Sequence, residues 1–343
     1  MSSAVSDTDV SAYPSYPSYP TLDQIRRTAE RLAGKVLETP VWRWRTGIVE
    51  RSLSPSTEVW LKLELFQRTG TFKLRGALNC IAALDAAALA RGVVAASAGN
   101  HAMAVAYAAR AAGSHAKLCM PRHASPTRIA ACQADGAEVI LTDTVHEAFA
   151  LASRLVEEER RTMIHPFDGP LTAEGTATVG LELMRQVPDL DAVVVPVGGG
   201  GLCGGIAAAV KQINPSCLVF GIEPFGADAM YRSFRAGEPT RLDRVDTVAD
   251  SLGAPYSLPY SYGVCRRFVD DIVRVWDEEM CRGMYHLYRD MKLVAEPAAA
   301  AATAALLGPL RSRLDGKRVA LVVCGSNIDP ARFSELVAKG AES

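Results

Sequence analysis

Residues 192–210 read AVVVPVGGGGLCGGIAAAV. An apolar run, 192–197, passes directly into Gly198, Gly199, Gly200 and Gly201, and these into a helix-forming stretch over 202–213. A strand that is apolar on both faces belongs in the interior of a parallel sheet. Glycines between such a strand and a helix tolerate unusual dihedrals and leave bare amides at the helix N-terminus, where a phosphate is favoured. A tight turn is the plainer reading, but a turn does not need four glycines.

The same rhythm continues on both sides. Upstream, 59–63, 92–96, 117–120 and 138–141 read as strands, and 76–84, 102–112, 126–134 and 147–159 as helices. Thr21 caps a helix whose inner face carries Ile25, Ala29 and Leu32 and which Gly34 closes. Downstream, 178–185 and 298–307 read as helices and 218–222 and 319–324 as strands. Apolar strands alternating with helices predict an α/β fold with mostly parallel sheets flanked by helices. The expected division is a small domain, 92–168, inserted between the two parts, 21–91 and 169–343, of a larger one, with the site between them.

Composition narrows the function classes. The 343 residues are 49% apolar and 22% charged, with 37 basic and 38 acidic side chains and a net charge of −1. No basic surplus points to nucleic acid or an anionic membrane. No apolar run is long enough to span a bilayer, and MSSAVSDTDV lacks the basic and apolar regions of a signal peptide, so a cytoplasmic location is expected. The eight cysteines are scattered without a C-x-x-C pair and read as reduced thiols; with no H-x-x-x-H pattern either, no metal site is expected. Residues 13–20, YPSYPSYP, favour polyproline II, and 1–20 read as a disordered tail or a peptide ligand for a partner.

Three further segments carry chemistry. TGTFKLRG, 69–76, places Lys73 between a glycine turn and a helix, flanked by Phe72 and Leu74. Burial there would disfavour the charged amine and make it a better Schiff-base nucleophile, although most lone lysines are solvated. SAGNH, 97–101, offers amides, a hydroxyl and an amide side chain at a helix start, suited to a carboxylate or simply to a capped turn. CGSNID, 324–329, puts Cys324 and Ser326 at the C-terminal end of a strand, where open α/β sheets bind ligands; a buried structural thiol is the alternative. Gly199, Gly201 and Gly204 also match G-x-G-x-x-G, with Glu223 at the distance of a ribose-binding acid, so the second half alone would fit a nicotinamide dehydrogenase. A third reading is a non-catalytic scaffold whose tail recruits a partner.

Taken in order, TGTFKLRGALN, SAGNHAMAVAYAA, PVGGGGLCGGIA and CGSNID resemble the serine/threonine dehydratase family of pyridoxal 5'-phosphate (PLP) enzymes, fold type II, over roughly residues 22–339. The resemblance implies a PLP-dependent carbon–oxygen lyase that converts a 2-amino-3-hydroxy acid to a 2-oxo acid and ammonia, as a homodimer. It implies that Lys73 holds the cofactor as a Schiff base and, once freed, takes the substrate Cα proton. Phe72 would pack beside the ring, and Asn100 would bond its 3-hydroxyl. Gly198, Gly199, Gly200, Gly201 and Leu202 would hold the phosphate, and Cys324 would face the pyridine nitrogen. Ser97, Ala98, Gly99 and His101 would surround the substrate carboxylate. A neutral thiol at the ring nitrogen makes a weaker electron sink, which favours elimination over transamination. Glu296, in KLVAEPAA, is placed near the site without a role.

Departures from the family pattern bear on specificity. Ala98 stands where serine racemases carry a second serine, so racemisation is disfavoured. GTAT, 175–178, replaces G-Q-G-T, and Ala229 stands where some relatives have an acidic cation ligand near the match to Glu223. Met103 and Phe167 replace polar residues; if both line the side-chain pocket, threonine is preferred to serine and phenylserine becomes a candidate. A 3-hydroxyaspartate substrate is then disfavoured, since its second carboxylate needs a cationic partner. With few residues after the last motif, no regulatory domain is expected.

Overall fold

The computed structural model describes residues 19–342. Among the described residues, ten strands form two sheets: β1 (Val41–Trp44), β2 (Glu58–Lys62), β3 (Val93–Ala96), β4 (Ala116–Pro121), β5 (Glu138–Thr142), β6 (Thr162–Met163), β7 (Ala192–Pro196), β8 (Leu218–Pro224), β9 (Asp271–Val275) and β10 (Arg318–Val322). The larger sheet has the order β1-β2-β10-β7-β8-β9, and the smaller β5-β4-β3-β6. Every pairing is parallel except β1 with β2.

The continuous apolar strands lie where sequence placed them. Every residue of β7 is buried, and β8 and β10 flank it. Helix Pro297–Leu307 covers one face, buried throughout from Pro297 to Leu306, because alanine lets it lie close to the strands. The edge strands β1 and β9 and the helices Ala229–Ala236, Pro259–Phe268 and Asp277–Met291 were not anticipated. Helix Pro170–Gln186 begins eight residues before the expected start at 178. Its glycine is a packing device rather than a breaker: a Cβ on Gly175 would come within 2.6 Å of the Arg75 carbonyl oxygen. Gly205 meets the same helix, its Cβ falling 2.2 Å from Thr176 Oγ1. Helices Lys73–Ala82, Pro170–Gln186 and Gly201–Ile213 are thereby held at backbone distance, which fixes Lys73 relative to the glycine loop.

Beneath Lys73 lies a buried charge network. Arg75 donates to Glu64 at 2.7 and 2.9 Å and to Glu182 at 2.6 and 2.9 Å, and Lys62 Nζ donates to Glu182 at 2.7 Å. Removing one partner of such a cluster strands a buried charge and costs about 3–5 kcal/mol. Leu74, Ala77, Leu78 and Ile81, on the same helix, share a core with Val93, Ala95 and Leu118 of the smaller sheet. The helix that begins at Lys73 therefore packs between helix Asn100–Ala111, which follows β3, and helix Pro170–Gln186.

Only the last unit of the Tyr-Pro stretch falls among the described residues. Gln212 holds it, donating to the Pro20 carbonyl at 2.9 Å and accepting from the Leu22 amide at 2.8 Å. Among the described residues, no helix is long and apolar enough to cross a membrane.

Candidate active site

Three of the motifs sit at the C-terminal ends of parallel strands. SAGNH follows β3, the glycine run follows β7, and CGSNID follows β10. The fourth joins them through the backbone: the Phe72 amide donates to the Cys324 carbonyl at 3.2 Å, and Thr71 bridges Gly325. These four segments line one cleft of about 210 Å³ between the sheets. Phe72, Lys73, Ser97, Ala98, Gly99, Asn100, His101, Leu202, Cys324 and the glycines 198–201 all face it.

Lys73 opens its helix and points its amine to the Pro166 carbonyl, 2.6 Å away, with the Phe72 ring centroid at 5.1 Å. Burial lowers its pKa to about 8, against the pull of the Glu296 carboxylate. Burial also pushes the Cys324 thiol well above its usual range, so it is neutral. The glycine loop turns at Gly200, where φ is 93°, into helix Gly201–Ile213. A Cβ on Gly199 would sit 2.2 Å from the Phe167 ring, and one on Gly201 2.3 Å from the Phe167 carbonyl oxygen. Thr176 Oγ1 secures the turn by donating to the Gly201 carbonyl at 2.7 Å.

Two histidines lie near Lys73. His101 Nε2 is 2.8 Å from the Ile164 carbonyl, and His165 Nδ1 accepts from the amides of Phe167 and Asp168 at 3.3 and 2.8 Å. Burial, reinforced by the Lys73 charge, depresses both to about 3, so both rings are neutral. Asn100 is fixed on both sides of its amide, by Glu296 and Ser251 at Nδ2 and by Asn327 at Oδ1. Glu296, left without a role by sequence, lies within the cleft, its carboxyl pushed up to about 7 chiefly by burial.

Some expectations change. Ser326 does not line the cleft; its hydroxyl donates to the Leu65 carbonyl and supports the turn. Met103 packs into the core of the smaller sheet, away from the cleft, whereas Phe167 does line it. Glu223 is fully buried and accepts from the Met230 and Tyr231 amides at 2.9 and 2.7 Å, which leaves the nicotinamide reading without its ribose-binding acid. A cationic side chain that sequence overlooked, Arg128, reaches the cleft, as do Asp250 and Ser251. Each is a lone polar residue in a turn or a helix start, with no local pattern to single it out.

The family model for pyridoxal-phosphate dependent enzymes matches residues 35–325. The chain belongs to this family. The phenylserine dehydratase of Ralstonia pickettii is 49% identical over 83% of this chain and 88% of its own length. The catabolic L-threonine dehydratase TdcB of Escherichia coli K12 is 39% identical, over 92% and 95%. The structure of maize serine racemase superposes with a TM-score of 0.87 at 34% identity, covering 94% of this chain and 99% of that one. The cofactor of this PLP enzyme is thus pyridoxal 5'-phosphate, and the cleft suits it: a deprotonable lysine, a neutral thiol and a glycine-built helix N-terminus face one space.

Proposed function

We propose that this enzyme acts by preference on a 2-amino-3-hydroxy acid with an apolar, aromatic β-substituent, phenylserine above threonine and threonine above serine. The reaction is a PLP-dependent β-elimination to a 2-oxo acid and ammonia, catalysed by a carbon–oxygen lyase of the hydroxyamino-acid dehydratase group. The observation that carries the substrate reading is the set of apolar side chains that line the cleft, Val145, Phe149, Phe167, Leu252 and Tyr256. Val145 and Phe149 stand one turn apart on helix Val145–Glu159 and present one face. The similarity to a phenylserine dehydratase supports the same choice.

In this reading the cofactor, when bound, would supply an electron sink for the substrate Cα. Lys73 would hold it as a Schiff base, Phe72 would pack beside its ring, Asn100 would bond the ring hydroxyl, and Cys324 would face the ring nitrogen as a neutral thiol. The amides from Gly198 to Leu202 would hold the phosphate. Ser97, Ala98, Gly99 and His101 bind the substrate carboxylate. Lys73, neutral above about pH 8, takes the proton at Cα. The division at residues 92–168 then separates the carboxylate-binding unit from the one that carries Lys73 and the phosphate loop, so that closure completes the site. The family resemblance supports a homodimer acting on a free small molecule; the balanced charge speaks against a nucleic-acid or membrane partner, and the N-terminal residues, without the regions of a signal peptide, favour the cytoplasm.

The test is kcat/KM for phenylserine, threonine, serine and 3-hydroxyaspartate under one condition, read as ammonia and 2-oxo acid. Phe149→Ala should lower the phenylserine value about tenfold, the loss of one to two kcal/mol of apolar contact, and leave threonine nearly unchanged. A wild-type preference for serine or 3-hydroxyaspartate would overturn the reading.

A further inference from the structure

Arg128 and Asp250 meet across the cleft. Arg128 lies in helix Pro126–Ala134, on the side of the smaller sheet; Asp250 begins the turn Asp250–Leu252 on the other side. Arg128 Nη1 donates to Asp250 Oδ2 at 2.6 Å, and Nη2 donates to the Asn327 carbonyl at 2.7 Å. Glu296 Oε2 stands 4.0 Å from Nη2. The Arg128 side chain is only 13% exposed, against 59% for Asp250. The guanidinium rests against the SAGNH turn, where a Cβ on Gly99 would approach Nη1 to 2.9 Å.

Among the described lining residues, the charged side chains are Lys73, Arg128, Asp250 and Glu296. Lys73 is committed to the chemistry, so Arg128 is the cation a second substrate carboxylate would seek. Asp250 already occupies it, and a dicarboxylate would bring a like charge against that carboxylate.

We propose that Asp250 is a specificity-determining residue that, by pairing with Arg128, excludes substrates bearing a second carboxylate. The inference rests on the reading of the cleft as a hydroxyamino-acid site. With the Asp250 charge removed, Arg128 stays anchored by Asn327 beside the turn that would bind the α-carboxylate, its Nη1 loses its carboxylate partner, and the Glu296 carboxyl stands farther off, 4.0 Å from Nη2. A β-carboxylate can then take the place of Asp250 on the guanidinium. The pair also bridges the two sides of the cleft, but losing a mechanical clasp would weaken all substrates alike. The ratio between substrates separates the two roles.

The experiment compares the wild-type holoenzyme with Asp250→Asn. The ratio of kcat/KM for 3-hydroxyaspartate to that for threonine should rise about tenfold at low salt, and the gain should shrink as ionic strength screens the charge. Adding Arg128→Gln to Asp250→Asn should abolish the gain. A second measurement needs no turnover: spectral titration with L-aspartate and L-alanine, neither of which carries a hydroxyl to lose. Asp250→Asn should improve aspartate binding relative to alanine by a similar factor. Ratios within twofold of wild type in both measurements, or a gain that persists without Arg128, would overturn the proposal. An enzyme inactive on every hydroxyamino acid would sink the functional reading, while the aspartate-to-alanine ratio would still decide the role of Asp250.

Discussion

The amide nitrogen of Asn100 lies 2.9 and 3.0 Å from the two carboxylate oxygens of Glu296, while its oxygen accepts from Asn327 Nδ2 at 2.8 Å. An acceptor on one side and a donor on the other leave the amide a single orientation. Asn327→Asp would put a carboxylate against the Asn100 oxygen and favour the flipped amide. We expect Asn327→Asp to lower kcat more than Asn327→Ala does, by about tenfold, and to shift the cofactor absorbance where the alanine variant does not. Equal effects in the two variants would show that only packing was lost.

The low pKa of Lys73 predicts how the cofactor attaches. The neutral amine predominates above about 8, so Schiff-base formation by cofactor-free protein should accelerate as pH rises through that value and then level. Lys73→Ala should lose the yellow, borohydride-sensitive absorbance and at least about a thousandfold in turnover, with an unchanged circular dichroism spectrum. Near-normal activity in that variant would remove the assignment.

The glycine loop is intolerant at one position and less so at another. A Cβ on Gly201 meets Phe167 backbone at 2.3 Å, which has no flexible end to move, whereas one on Gly198 meets Ser251 oxygen at 3.2 Å. Gly201→Ala should cost about 3 kcal/mol or more and abolish cofactor retention. Gly198→Ala should do measurably less. Thermal denaturation and the absorbance of the purified variants read both.

Acid sensitivity follows from the two neutral histidines. His101 and His165 have folded values near 3, below the usual imidazole value of 6.5. Below about 6.5 the unfolded chain takes up protons that the folded one refuses, so stability present above that pH is lost as pH falls towards 3. Each histidine contributes about 1.4 kcal/mol per pH unit in that window. The raised carboxyls of Glu223, about 8, and Glu296, about 7, act in the opposite sense above 4.5, so the variant must be compared with wild type. His165→Asn keeps an acceptor for the Phe167 and Asp168 amides but cannot titrate. The urea midpoint of this variant should fall less steeply than that of wild type between pH 6 and 4.5, and parallel curves would refute the account.

The strands legible in the sequence were β2, β3, β4, β5, β7, β8 and β10; the clearest, β3, β7, β8 and β10, are buried on both faces, where a run of apolar residues is the physical requirement itself. The edge strands VWRW and DIVRV mix half-buried, ion-paired arginines with apolar residues, and short mixed segments of that kind have no period to read. The early turns of helix Pro170–Gln186 were obscured by Gly175 and the threonines around it. Glycine weakens a helix locally but is what lets this one approach Arg75.

The sequence by itself determined the chemistry available: a lysine beside a turn, a glycine run before a helix, and a cysteine and an asparagine at strand and helix ends. Those signals are local because backbone conformation and helix-terminal amides depend on neighbouring residues. Only the tertiary structure decided which groups meet. It brought Arg128 to Asp250, 122 positions along the chain, and Asn100 to Glu296, 196 positions along, and it took Met103 away from the cleft. Charge pairing and burial are relations between distant segments, so no stretch of sequence contains them until the chain has folded.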